Sequence, residues 1–434
     1  MAQTLKFGNK VWAAKEESVL AYNDINNNYK PLPFDFSRAS IGTRVNKDGL
    51  IETMGQDIAR IDYTDSADGV LLLEPSRTNL ITQSEAFDNS YWTKSGASVV
   101  GGFASPSADS PLGAFKLVED TITGEHFIQA IGITTIVDKY SFTLFAKAGE
   151  SSKLRVQGAN YFTNVTGADF DLIAKTATNL SKGVNASIVE MSDGWFKCTF
   201  TSSDNAFAGP SAHYRVYLLD DLGSTSYTGD GTSGVYIYGA QVEQGSYPTS
   251  YIPTSGSTVT RAAETCNNSG NSEVYGNNGG VLFWNAKAFN NIGNLALTGS
   301  NGTNAERFQL YFDTTTADKI KSNVVTGNVA VAPMESQVLD VTAFHKIANS
   351  FANNNHALWV DGFKVDTDTT GGVSQGVDRL NFDNGTGTSD FYGKTKEVGY
   401  YDTALTDAEL ETLTSYRNWV SMVNELNLNI IYNG

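Results

Sequence analysis

Cysteine, histidine and proline are scarce in this chain: two, four and nine of 434 residues. Two cysteines, Cys198 and Cys266, cannot build a disulfide framework or a cysteine-based structural zinc site, and spacing alone does not say whether they pair. His126, His213, His345 and His356 show no metal-ligand spacing and no HExxH pair. A Gly-x-Ser-x-Gly elbow and a Walker-type glycine loop are also absent. No apolar run approaches the roughly 20 residues of a membrane-spanning helix. The first ten residues hold no apolar stretch of the secretory kind, so no signal peptide is expected. Charge is thin as well, at 18% of residues, with 30 basic against 47 acidic side chains and a net charge of −17. That balance disfavours a phosphate-gripping nucleic-acid binder and adhesion to an anionic membrane. Neither nucleic acid nor membrane insertion is expected.

What the chain has is 40% hydrophobic and 11% aromatic residues, set among glycine, serine, threonine and asparagine. This is the composition of short strands joined by many turns. At roughly 100–200 residues per domain, the length predicts two to four domains. Residues 1–66 contain turn clusters such as Asn46-Lys47-Asp48-Gly49, with short strands around them at 39–45 and 50–53. This piece is too irregular to stand alone and is expected to pack on a neighbour or another chain. Residues 67–264 read as a β-sandwich. Tyr140, Phe142, Leu144 and Ala146 point one way and Ser141, Thr143 and Lys147 the other. Phe196, Cys198 and Phe200 alternate with polar residues, and Tyr214, Val216 and Leu218 alternate with Arg215, Tyr217 and Leu219. Residues 265–278 are almost free of apolar side chains and read as a linker.

Residues 279–434 predict a second sandwich, with strands at 281–284, 307–312, 345–351 and 395–401. Asp361-Gly362 between two apolar runs is a strong signal for a type I′ hairpin. Thr406-Asp407-Ala408-Glu409 is a capping box, with Leu405 and Leu410 placed as a hydrophobic staple. Leu410, Leu413, Tyr416, Val420 and Val423 then extend one helical stripe. The expected fold class is all-β: two tandem β-sandwich (jelly-roll) domains after a small irregular N-terminal attachment region, with one short C-terminal helix. No fixed-period repeat suggests a solenoid.

An ordered series of short phrases resembles the modular fibre, spike and tail proteins of tailed bacteriophages. It runs Phe36-Ser37-Arg38-Ala39-Ser40, Val45-Asn46-Lys47-Asp48-Gly49-Leu50-Ile51, Arg60-Ile61-Asp62-Tyr63 and Leu72-Leu73-Glu74-Pro75-Ser76-Arg77-Thr78-Asn79-Leu80. Ser84-Glu85-Ala86-Phe87, Tyr91-Trp92-Thr93-Lys94 and Asp193-Gly194-Trp195-Phe196 continue it. Gly239-Ala240-Gln241-Val242-Glu243, Ser250-Tyr251-Ile252-Pro253-Thr254 and Thr260-Arg261-Ala262-Ala263 close it. The resemblance implies a carbohydrate-binding-module-like jelly roll over most of residues 1–265. Residues 279–416 resemble the concanavalin A-like and laminin-G-like lectin group, through the Asp361-Gly362 hairpin and Val398-Gly399-Tyr400-Tyr401 feeding the capped helix.

Together these resemblances imply a protein of the virion surface, assembled in the host bacterial cytoplasm, as a fibre, spike or head decoration. Its partners would be capsid or tail proteins through the N-terminal region, sister chains in a homotrimer, and host-surface glycans. Two alternatives stand beside this: a purely structural component whose sandwiches bind neighbouring virion proteins, and a polysaccharide depolymerase. The Glu–apolar–Asp–apolar–Glu strand of concanavalin-like glucanases is not reproduced, so no catalytic residues are assigned and no enzyme is expected.

A glycan site on a sandwich needs aromatic faces for sugar C–H surfaces and amides or carboxylates for hydroxyls. The candidates are Tyr91, Trp92, Asn160, Tyr161, Tyr217, Trp284 and Tyr392, against the general rule that aromatic residues in strands are core. Asp220, Asp221 and Asp230 are candidates for a structural calcium, since hard cations collect several oxygens. Asp366, Asp368 and Asp383 pose the same question. Solvated or turn-forming carboxylates are the competing reading for all six.

Overall fold

In a computed structural model the described residues are 5–8, 11–23, 30–160, 164–203, 209–291 and 295–428. They form an almost purely antiparallel β structure with two short helices. The chain divides into two compact units, residues 1–39, 55–75 and 263–434 in the first, and 40–54 and 76–262 in the second.

The second unit is a sandwich of two six-stranded sheets. The strands expected from alternation are all present, at Tyr140–Ala148, Trp195–Ser202 and Gly209–Leu218, and Gly234–Gln244 joins them. Their apolar sets meet in one core that holds Phe142, Leu144, Phe200, Tyr214, Val216 and Ile237. Phe142 and Phe200, partners across neighbouring strands, stack with their ring centroids 4.4 Å apart. The turn at Asn46–Gly49 forms as expected: Asn46 Oδ1 accepts from the backbone N–H of Asp48 and Leu50, and Gly49 takes φ +77°. It joins Gly42–Val45 to Ile51–Met54 in a two-stranded hairpin.

The first unit packs a twelve-stranded sheet against a six-stranded one. Here the structure departs from the expected division of the chain. Residues 1–39 and 55–66 are not a separate attachment region. Leu5–Gly8 pairs with Gly393–Tyr401, in register Leu5 to Tyr400, and Ser18–Asn23 and Lys30–Ser37 extend the same sheet. The physical reason lies in Leu32, Phe34 and Phe36, which alternate along one strand and bury themselves in the core that also takes Trp284, Leu310 and Phe382. The expected linker is also part of this unit. Thr265–Asn267 pairs with Lys30–Ser37, and Cys266, Val274 and Tyr275 are buried in its core. Sparse apolar residues read as a linker, but three of them sufficed because the neighbouring strands supply the rest of the core. Both cysteines are buried free thiols.

The hairpin at Asp361-Gly362 forms in the expected register, Val360 opposite Phe363, with φ +52° and +89° at the two turn residues. The capping box at Thr406 and Glu409 is complete and opens a helix over Asp407–Thr414. One continuous helical stripe does not follow, and this corrects the single expected helix. The chain breaks at Ser415, and Asn418 caps a second helix, Trp419–Glu425, through a reciprocal pair with Ser421. Tyr416 leaves the helical path and donates its hydroxyl to Asp361 (2.6 Å). No helix of the described residues is long and apolar enough to cross a membrane.

Glu397 lies half-buried on the twelve-stranded sheet, and burial raises its pKa from 4.5 to about 7, against the pull of Lys6 and Lys346. Burial alone would lower His345, but Asp361 (Nδ1 to Oδ2, 2.6 Å) and the Asp340 carbonyl outweigh it and raise the imidazole above its ordinary value. For both groups the folded state binds protons more tightly than the unfolded chain, so stability falls as pH rises. The Glu397 contribution is lost between pH 4.5 and about 7, and the His345 contribution is lost as pH rises from 6.5 through its higher folded value. The full Glu397 shift corresponds to about 3 kcal/mol, which solvent contact reduces to roughly 1–2 kcal/mol. Urea denaturation should therefore show the first unit weaker at pH 8 than at pH 5, with a flatter dependence in Glu397→Gln. Parallel curves for the two proteins would refute this.

Candidate functional site

A polar surface forms on the outer face of one sheet in the second unit. Its central strands are Phe127–Thr135, Gly209–Leu218, Lys153–Asn160 and Asn164–Asp171. Ile128, Ala130, Tyr214, Val216, Leu154 and Val156 point into the core. Period-2 alternation then turns the intervening residues outward. Strand register lines them up in two rows. One runs Phe127, Tyr217, Arg155, Asp169; the other runs Gln129, Arg215, Gln157, Gly167.

Arg215 sits at the centre. Its Nε donates to Gln129 Oε1 (2.5 Å), Nη1 donates to the Tyr217 hydroxyl oxygen (3.0 Å), and Nη2 faces His213 Nδ1 (3.4 Å). Its guanidinium lies 5.1 Å from the Phe127 ring centroid, and Phe127 and Tyr217 pack with centroids 5.1 Å apart. Burial and the adjacent Arg215 lower the His213 pKa, so the imidazole is neutral at pH 7 and accepts on Nδ1. Arg155 makes a two-pronged bond to Asp169 (2.6 and 3.0 Å), which raises its pKa. Lys153 faces Asp171 at 3.7 Å. Both carboxylates on this face are therefore held by cations, and neither is placed as a free acid–base group. Opposite Arg215, the Gln157 side chain makes no hydrogen bond among the described residues, and its other neighbour, Gly167, is buried and carries no side chain. Phe127, Gln129, His213, Arg215, Arg155 and Gln157 all stay partly exposed.

Of the residues picked from sequence, Tyr217 belongs to this face, although only 4% exposed. Asn160 ends a strand of the same sheet opposite Ala212, and Tyr161 lies outside the described residues. Trp92 and Trp284 are corrections. Both are buried core residues, at 1% and 0% exposure, because each takes an inward position on its strand. Their indole N–H groups are spent on the Gln83 carbonyl and Thr395 Oγ1. Tyr91 is half-buried with its ring against Trp92, and Tyr392 is half-buried against the core of the first unit.

The calcium candidates do not converge. Asp220 Oδ1 accepts from the backbone N–H of Leu222 and Ser224, and Asp230 accepts from Thr232 and Ser233. Asp221 is exposed, and its carbonyl takes the Lys153 ammonium. Asp366, Asp368 and Asp383 likewise accept from nearby backbone N–H groups. Asp220, Asp230, Asp368 and Asp383 hold local turns, and Asp366 also accepts from the Glu335 N–H of a distant stretch. Among the described residues no group of three or more His, Cys, Asp or Glu is arranged to hold a metal ion.

The sequence reading missed Arg215, Gln129, Gln157, His213 and Phe127. The signal was available in part, since Arg215 and Tyr217 were already read as sharing the outward side of their strand. What could not be read was which strands lie beside it.

No protein-family model and no curated protein matches this chain. Among solved structures it is similar to the CBM40 domain of the Ruminococcus gnavus IT-sialidase bound to α2,3-sialyllactose, at 16% identity over 34% of this chain and 94% of that one, with a TM-score of 0.29. It is also similar to domains LG4-5 of the mouse laminin α1 chain, at 12% identity over 70% of this chain and 90% of that one, TM-score 0.24. Trypanosoma rangeli sialidase matches at 10% identity over 91% of this chain and 81% of that one, TM-score 0.26.

Proposed function

We propose that this chain is a non-catalytic glycan-binding protein of a tailed-phage virion, with the outer sheet face around Arg215 as its binding surface. The observation that carries the binding reading is that one face gathers a guanidinium, two amides, an imidazole and an aromatic pair. A shallow polar face of this kind suits hydroxyl-rich ligands, which need a few fixed donors and acceptors more than a deep cavity. The virion assignment rests on the ordered motif series. Weak single sites would gain strength from display in many copies, a homotrimer included, since linked sites rebind at high effective concentration.

The test is a glycan array probed with the full-length protein, wild type and Phe127→Ala. Removing this half-exposed ring takes away the surface on which Arg215 rests. Binding to the best glycans should fall at least tenfold with the thermal melt unchanged. An array with no bound glycan, or binding untouched by Phe127→Ala, would refute the assignment of this face. Mass spectrometry of purified particles tests the virion location, and absence of the chain from them would refute it.

A further inference from the structure

Arg215 is the one cation in the two central rows that faces no carboxylate among the described residues. Arg155 is neutralised by Asp169, and Lys153, at the end of the face, is matched by Asp171. Arg215 instead has three neutral partners: an amide oxygen, a phenol oxygen and an imidazole nitrogen. In a chain of net charge −17, carboxylates are plentiful, and a half-buried guanidinium left without one is a local positive spot. A guanidinium has five N–H groups. Among the described residues three of its nitrogens face a protein acceptor, and those contacts, with the Phe127 ring, fix the plane of the fork. Nη1 and Nη2 each carry a second N–H, and paired guanidinium donors suit the two oxygens of a carboxylate. With His213 accepting on Nδ1, its proton is on Nε2, a further donor beside the fork. Across the sheet, the partly exposed Gln157 amide has no hydrogen-bond partner among the described residues and can meet hydroxyl groups flanking the carboxylate.

Accepting the glycan reading above, we infer that the ligand of this face is an acidic saccharide whose carboxylate pairs with Arg215, with neighbouring hydroxyls on Gln157. The inference goes beyond glycan binding in general, since it names the charged group and the residue that takes it.

The experiment uses the full-length protein on an array of acidic oligosaccharides, uronates and nonulosonates, each printed beside its carboxyl-reduced counterpart. The carboxylate forms should bind at least tenfold more tightly than their reduced partners, and the preference should weaken as salt rises. Arg215→Gln should abolish the preference. Arg215→Lys, which keeps the charge and loses the fork, should recover only part of it. Gln157→Ala removes a side chain with no hydrogen-bond partner among the described residues, and should weaken the acidic forms by three- to tenfold with the melt unchanged. Thermal melts confirm that each variant is folded. Equal binding of acidic and reduced forms, still lost in Phe127→Ala, would overturn the carboxylate inference and leave the face standing. Binding indifferent to Phe127, Arg215 and Gln157 together would overturn the face itself. Poly-glutamate captured as tightly as the best acidic sugar would overturn the saccharide class.

Discussion

Glu264→Ala should destabilise the first unit by about 3–5 kcal/mol. Arg38 and Arg60 are fully buried and converge on this one carboxylate. Arg38 Nη1 donates to Oε1 (2.7 Å), Arg60 Nε donates to the same oxygen (2.8 Å), and Arg60 Nη2 donates to Oε2 (2.5 Å). The Glu74 backbone N–H completes the shell at 2.8 Å, and the Glu74 carboxylate takes the remaining side of Arg60 at 2.8 Å. Burial opposes the charge on Arg60, but Glu264 and Glu74 outweigh it and hold the guanidinium protonated. Truncating Glu264 leaves two guanidinium groups in a dry core with one carboxylate between them. They cannot shed their protons, so the desolvation cost is uncompensated. A loss of this size is a large part of the roughly 5–15 kcal/mol that a domain has. Hydrogen exchange should show protection falling in Lys30–Ser37, Arg60–Asp62 and Thr265–Asn267. By contrast, Glu190→Ala breaks a pair whose side chains are 53% and 56% exposed, and should cost under about 0.5 kcal/mol. An unfolding midpoint in Glu264→Ala as close to wild type as that of Glu190→Ala would refute the argument.

The second large effect is expected in the other unit. Asn79 is wholly buried, and its amide is filled on all four sides. Nδ2 donates to the carbonyls of Ala240 (3.1 Å) and Ile252 (2.9 Å), while Oδ1 accepts from the N–H groups of Ile81 (3.1 Å) and Val242 (3.2 Å). Three stretches of chain distant in sequence are thereby joined by one side chain. Asn79→Ala leaves two carbonyls and two N–H groups buried without partners. Each such group costs about 1–3 kcal/mol in isolation, and partial relaxation brings the sum to roughly 2–4 kcal/mol. For a unit of this size, that is a fall in melting temperature of about 5–12 °C. Asn79→Asp keeps the shape and the oxygen that accepts from Ile81 and Val242 but points its second carboxylate oxygen at two carbonyl oxygens, so it should be no milder. Calorimetry on the full-length protein measures both. A transition within 1 °C of wild type would refute the role given to Asn79.

These two clasps are built from the ordered short phrases of the sequence, whereas the candidate binding face is not. Arg38, Arg60 and Glu74 come from three of those phrases; Asn79 shares the phrase of Glu74, and Gln241, Glu243 and Ile252 come from two more. Gln241 Oε1 accepts from the Ile252 N–H (2.7 Å), and Glu243 accepts from the backbone and hydroxyl of Thr249. The phrases mark places where buried polar groups must be matched one for one, and that demand constrains residue identity tightly. The binding face makes no such demand. Its residues are half-exposed, and nothing in the order Arg215, Gln157, Gln129 brings them together in sequence.

Alternating side chains, the Asp361-Gly362 turn and the Thr406 capping box were determined locally, because each depends on dihedral preferences and contacts within a few residues. They were enough to establish an all-β chain closed by a capped helix. Which distant strands lie side by side was decided only in the tertiary structure. That pairing drew Leu5–Gly8, Ser18–Asn23, Lys30–Ser37 and Thr265–Asn267 into the C-terminal sandwich, sent Trp92 and Trp284 inward and placed Arg215 between Gln129 and Gln157. Period-2 geometry assigns a residue to a side of its own strand, but its neighbours across the sheet follow from the packing of the whole core.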